Sequence, residues 1–184
     1  MRVITVGFLT LLLLSIFPSL LMAQNKQDYH ILLNSGKFIP AQNISSIGKT
    51  SDVFTKSSFG NKSYVVLQFS VLPSPNEKAA LSNAGIRLVD YIPNNAFTAV
   101  VANNFNLNEL KSNDTRAVFQ FSPEQKTVPQ LMKGNFPAHA VKSPGLVDLT
   151  VTTYEKLNIA EVAAAFTALN ISVLEDMPMF RSFT

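Results

Sequence analysis

Cysteine is absent from the 184 residues, so no disulfide staples the chain, and thiol catalysis and thiolate-ligated zinc are excluded. Apolar burial must hold the fold. Histidine occurs only twice, His30 in a strand-like run and His139 inside Pro137-Ala-His-Ala140, and neither has a neighbour that would make it a catalytic or metal-ligating group. The seven glycines form no phosphate-binding loop, and no His/Asp/Glu cluster has metal-ligand spacing. No serine lies in a Gly-x-Ser-x-Gly elbow. Glu175 and Asp176 are adjacent on an extended run, so they point to opposite faces and cannot jointly flank one bond. They read as solvated or edge-protecting charges. The expectation is a non-enzyme with no cofactor and no metal.

Basic clusters are also missing. Of 15 Lys and Arg against 12 Asp and Glu, only Arg2 falls in the first 23 residues, which leaves 14 against 12 and a charge of +2 beyond them. Nucleic acid is a poor partner for such a surface. Long apolar runs are confined to the start, where Arg2 precedes an apolar stretch from Ile4 to Leu21 and small Ala23 precedes polar Gln24-Asn25-Lys26. This pattern predicts a signal peptide over 1–23, cut between Ala23 and Gln24, and a secreted protein, extracellular or periplasmic. An uncleaved anchor is the alternative, because the run approaches bilayer length. No later segment could span a membrane. Four Asn-x-Ser/Thr sequons begin at Asn43, Asn61, Asn113 and Asn170, and they matter only in a source that glycosylates them.

What is present is a repeated grammar. Tyr64 to Ser70 alternates as a strand with Val65, Leu67 and Phe69 on one face. Ser74-Pro-Asn-Glu77 opens a helix with a capping box and Gly85 stops it. Ile86 to Ile92 and Ala96 to Val101 follow as strands joined by Pro93-Asn94-Asn95. A short helix opens at Asn106-Leu-Asn-Glu109, and Arg116 to Phe121 is a fourth strand ended by Ser122-Pro123, with Phe119 and Phe121 as core packing. The order over 64–123 is β-α-β-β-α-β, the ferredoxin-like split pattern, an α+β unit with an antiparallel sheet and two helices on one face.

The first half of that unit recurs over 146–184. Val147, Leu149 and Val151 form the inward face of a strand, Asn158 and Glu161 the capping box, and Asn170 the helix stop. Seven residues separate Ile86 from Pro93 and Ile171 from Pro178. The second copy breaks off near a third strand at Arg181 to Thr184, so the sequence reads as part of a larger protein. A partial βαβ copy of 39 residues buries little on its own, and is expected to lean on the first unit or to show an open sheet edge. Residues 24–63 read as an N-terminal hairpin, Tyr29 to Leu33 with Lys37 to Ile39, and a linker or surface loop from 41 onward; 124–145 reads as a connector.

Tyr64-Val-Val-Leu-Gln-Phe69, Leu81-Ser-Asn-Ala-Gly-Ile86 and Leu88-Val-Asp-Tyr-Ile-Pro-Asn-Asn-Ala-Phe97 resemble the N-terminal prodomain of secreted subtilisin-like serine peptidases, especially the fervidolysin type. The connector Pro129 to Lys142 looks similar to that of large secreted bacterial members. The resemblance implies a small α+β unit that packs its sheet on the peptidase catalytic domain, assists its folding and inhibits it, in cis or in trans. The peptidase's own Asp, His and Ser motifs are missing here. The alternative is a secreted protein-binding or adhesion module. Candidate partner contacts are the turn Pro93, Asn94 and Asn95 and the segment Ser122, Pro123, Glu124, Gln125, Lys126 and Thr127, both expected at exposed ends of the sheet.

Overall fold

The centre of the molecule is one strand, Lys62–Phe69, whose residues after Lys62 are all buried, on both faces. The computed structural model describes residues 27–155 and 157–184; the leader and its Ala23–Gln24 junction lie outside the described residues. In chain order the strands are β1 (Ile31–Leu33), β2 (Gly36–Phe38), β3 (Ser58–Phe59), β4 (Lys62–Phe69), β5 (Ile86–Ile92), β6 (Ala96–Ala102), β7 (Thr115–Phe119), β8 (Val141–Ser143), β9 (Leu146–Val147), β10 (Val151–Thr152), β11 (Asp176–Met177) and β12 (Ser182–Phe183). The helices are α1 (Asp52–Thr55), α2 (Pro75–Asn83), α3 (Leu107–Ser112), α4 (Pro123–Lys126), α5 (Pro129–Met132) and α6 (Ile159–Ala168), with a 3₁₀ turn at Pro178–Phe180.

The fold is α+β with antiparallel sheets. β6 runs along one side of β4 and β5 lies beyond it, while the other side of β4 takes β3 at Lys62 and Ser63 and β7 from Val66 to Phe69. Val65, Leu67 and Phe69 face a core that receives Leu81 from α2 and Leu110 from α3, so both helices lie on one face. The opposite face is not left to solvent. Ile31, Leu33 and Phe38 of the N-terminal hairpin pack there with Val66, Ala96 and Phe119, and Phe38 meets Phe119 and Phe121 edge-on at 5.8 and 6.5 Å.

Helix α2 forms where its caps require. The Glu77 amide donates to Ser74 Oγ at 3.3 Å and the Ser74 amide donates to Glu77 Oε2 at 2.7 Å, and hydrogen bonding to the carboxylate from the Ser74 side chain and then its amide holds the Glu77 carboxyl below its ordinary pKa. Gly85 ends the helix at φ +83°, and a Cβ there would also press on Phe105 Cα at 3.3 Å. Ser74→Ala should cost about 1 kcal/mol, which a thermal melt would read as a fall of roughly 4–8 °C for a domain of this size.

Two sequence readings change. The segment 41–63, read as a linker, contains α1 and β3, buries Ile47 and Phe54, and is tied to β7 by Asn43, which donates to the Val118 carbonyl and accepts from its amide. The fourth strand is Thr115–Phe119 rather than 116–121, because Pro123 starts α4 and Ser122 caps it.

The second copy keeps the local grammar and the strand order. Asn158 caps α6 through the Ala160 and Glu161 amides, and Asn170 takes φ 59° at the stop. β12 lies between β10 and β11, antiparallel to both, as β6 lies between β4 and β5. Phe183 pairs with Val151 and Asp176 as Phe97 pairs with Leu67 and Tyr91. The hairpin β8–β9 matches β3–β4 in turn, Ser143 opposite Leu146 as Phe59 is opposite Lys62. What differs is extent. The expected strand 147–151 is broken at 148–150, residues 171–175 are not strand, and Leu149 and Val151 are exposed where Val65 and Leu67 are buried.

The second copy touches the first through side chains of both. Tyr154 stacks on Tyr64 with ring centroids 5.7 Å apart, and Arg181 Nη1 donates to Asp90 Oδ2 at 3.2 Å. Burial raises both phenols above their ordinary pKa, Tyr64 with a further contribution from the Glu161 charge.

Candidate partner-binding surfaces

The turn Pro93 to Asn95 is built from two left-handed residues, Asn94 at φ 67° and Asn95 at φ 60°. Asparagine tolerates that region, which is why the hairpin closes here. The side chains are occupied within the chain: Asn94 Nδ2 donates to the His30 carbonyl at 2.7 Å, and Asn95 Nδ2 to the Ser70 carbonyl at 3.4 Å. Pro93 is exposed and the two asparagines are half-buried. The turn therefore fastens the N-terminal hairpin to the sheet, and leaves mainly Pro93 and neighbouring Tyr91 for a partner.

A polar knot completes the fastening. Fully buried Gln68 donates through Nε2 to the carbonyls of Tyr29 at 3.0 Å and Asn94 at 2.9 Å, and accepts at Oε1 from Arg116 Nη1 at 2.7 Å. Arg116 also donates to the Pro40 carbonyl at 3.0 Å, and its guanidinium carbon sits 4.3 Å from the Tyr29 ring centre. Sequence reasoning passed over both residues. The available signal was a glutamine on the strand with the most apolar neighbours, which in a buried position must find partners.

The second candidate segment, 122–127, is the short helix α4. The Gln125 amide donates to Ser122 Oγ and the Ser122 amide to Gln125 Oε1, while Pro123, Glu124 and Lys126 are exposed and Thr127 Oγ1 donates to the Pro123 carbonyl. The structure does not bring the two segments together. Asn95 abuts Phe69 at one end of β4, whereas β7 leaves the sheet after Phe119 pairs with Val66, heading for the other end.

His30 binds the Asp28 carboxylate at 2.5 Å, and the His30 hydrogen bonds hold Asp28 below its ordinary pKa; His139 lies exposed in the connector. Among the described residues no group of three His, Asp or Glu could hold a metal ion, and no helix is long and apolar enough to cross a membrane. Asn43 and Asn113 of the sequons are committed to internal hydrogen bonds, Asn113 to the Glu109 carbonyl and carboxylate.

A domain family described as Domain of unknown function (DUF8729) matches residues 32–122, a span that takes in most of the N-terminal hairpin together with β3 to β7. No curated protein and no solved structure matches the chain.

Proposed function

We propose that this chain is a non-catalytic prodomain of a secreted subtilisin-like serine peptidase, which binds the catalytic domain, in cis or in trans, as folding assistant and inhibitor. The observation that carries the reading is the order β7-β4-β6-β5, antiparallel throughout, with α2 and α3 on one face. That order is what a ferredoxin-like split βαβ unit over 64–123 requires. The residues that carry the resemblance lie at the joints of this unit: Gln68-Phe69 closes β4, Gly85-Ile86 joins α2 to β5, and Ile92 to Phe97 makes the hairpin.

The covered sheet face redirects the contact. With Ile31 and Phe38 already seated on that face, the contact falls to the outer edge of β5, the last strand of the sheet, where Tyr91 is exposed beside the Asp90 that Arg181 holds and an extended partner segment can pair. The test is inhibition of a subtilisin-like peptidase by purified 24–184. Slowed proteolysis with residues 64–121 left intact is the expected result, and rapid digestion without inhibition would overturn the proposal.

The second reading is a secreted protein-binding or adhesion module. It is favoured by the exposed apolar residues Leu146, Leu149 and Ile171 of the second copy. Arg181 to Thr184, read as a third strand, holds the central strand β12, with Ser182 and Phe183 buried, so charging those residues would test folding rather than edge pairing.

A further inference from the structure

Resting on the prodomain reading, which puts the contact at the outer edge of β5, we infer that this edge takes an extended, acidic segment of a partner polypeptide as an added antiparallel strand. The two sides of the sheet are finished differently. β7 is closed on its outer side by Asn43, whose amide donates to the Arg116 carbonyl at 3.1 Å and whose side chain binds both the amide and the carbonyl of Val118. β5 has no such cover among the described residues and pairs only with β6.

The register fixes which backbone groups are open. The Gly85 carbonyl accepts from the Ala102 amide at 2.9 Å, and two residues further along each strand Arg87 stands opposite Val100. Hydrogen-bonded and non-bonded pairs alternate along an antiparallel ladder, so Arg87 turns its backbone groups toward β6 while Ile86 and Leu88 turn theirs outward. No turn or loop bond occupies them among the described residues. Beyond Leu88 the register shifts before Tyr91, and the Asp90 amide goes to Thr98 Oγ1 at 2.9 Å. The open ladder is therefore short, and it suits a partner strand of about five residues.

The charges along the edge set what that strand carries. Arg87 is exposed and has no carboxylate partner among the described residues. Lys78 of α2 stands on the helix side, its ammonium 5.0 Å from the centre of the Phe97 ring that Tyr91 packs against, and it too has no carboxylate partner among the described residues. The acidic residue of the strand, Asp90, already accepts at Oδ2 from Arg181 and from Thr98 Oγ1, each at 3.2 Å. Both faces of the edge thus offer a cation to an incoming carboxylate.

Pairing through Ile86 and Leu88 puts the residue opposite Arg87 in a pair without hydrogen bonds, where Cα atoms approach to about 4.5 Å and side chains come closest. An acidic residue belongs there, since opposite charges facing each other across strands are stabilising. Its neighbours, opposite Ile86 and Leu88, fall on the face that packs into the core under α2, and are apolar and branched. A second copy of β5 is a poor occupant. The same pairing between two such edges would set Ile86 against Leu88 and Arg87 against Arg87, which repel.

The probe is a capped synthetic peptide Thr-Val-Glu-Val-Thr, titrated into the protein while amide exchange is followed. Exchange at Ile86 and Leu88 should slow on the order of tenfold at saturation. The peptide with lysine in place of glutamate should bind about fivefold more weakly, and one with proline in place of the first valine, which lacks the amide that the Leu88 carbonyl would accept, should not bind. Arg87→Glu, at an exposed side chain, should reverse the preference between the glutamate and lysine peptides. The inference is overturned by no slowing up to the solubility limit of the glutamate peptide, by equal affinity for the glutamate and lysine peptides, or by a preference that Arg87→Glu leaves unchanged. Slowing that grows with protein concentration without peptide would give the edge to a second copy, and also overturns it. No peptidase enters the assay, so edge pairing and the prodomain reading fail separately.

Discussion

Phe69→Ala should remove about 3–5 kcal/mol of stability, the range for deleting a buried phenylalanine, from a domain whose total is about 5–15 kcal/mol. Phe69 is fully buried at the end of β4, with its ring 6.1 Å from that of Phe97 at 76°, and its amide donates to the Asn95 carbonyl at 2.9 Å. The side chain faces the core that α2 and α3 share, so its loss opens a cavity under both helices and beside the hairpin turn. No small shift can close it, because Gln68, the neighbour on β4, is pinned by hydrogen bonds on the opposite face. Urea unfolding would show a large fall in midpoint with the slope nearly unchanged. Phe69→Leu, which keeps most of the apolar volume, should lose less than half as much. A loss under about 1 kcal/mol for the alanine variant would mean that the site collapses, and that Phe69 is not central to this core.

The local parts of this fold were legible because their chemistry is local. Ser74, Pro75 and Glu77 form a cap whatever lies elsewhere in the chain, and Gly85 and Asn170 suit a left-handed stop for reasons internal to the residue. The alternation of Val65, Leu67 and Phe69 likewise placed one face of β4. Its other face was hidden, since Val66 and Gln68 are buried only by a hairpin more than 25 residues away in sequence. Residues 41–63 misread as a linker for a related reason. Ile47, Val53 and Phe54 are few and irregularly spaced among polar residues, and only docking on a sheet formed later in the chain makes them core. The second copy fails in the opposite sense. Leu149 and Ile171 carry the pattern of buried strands, but a strand needs a neighbour, and among the described residues neither is paired, so both are exposed. For the candidate site, turn chemistry located Asn94 and Asn95 correctly as turn residues, whereas their use as fasteners of the N-terminal hairpin depended on contacts that spacing does not encode.

Arg116→Ala tests those fasteners, and should release the N-terminal hairpin from the sheet before the sheet itself fails. The arginine supplies the donors for Gln68 Oε1 and the Pro40 carbonyl, and its stem and planar head fill the space beneath Tyr29. Truncation leaves those two acceptors without this donor, at about 1–3 kcal/mol for each that water cannot reach, and forfeits packing by the stem as well. The loss falls on the hairpin, because Tyr29 and Pro40 flank β1 and β2 whereas the β4–β6 ladder keeps all its pairs. Amide exchange should accordingly quicken at Ile31 to Phe38 far more than at Val65 to Leu67. If the two regions quicken equally, the hairpin and sheet unfold as one unit and the knot is not a separable latch. Arg116→Met combined with Gln68→Met removes donor and acceptor together and keeps apolar volume, so the pair should recover part of the loss. The release uncovers Val66 and Phe119 on the sheet face beneath the hairpin. Under the prodomain reading, with the contact at the outer edge of β5, Arg116→Ala should leave inhibition of the peptidase nearly unchanged even as it folds less stably, and markedly tighter binding would place the contact on the uncovered sheet face instead.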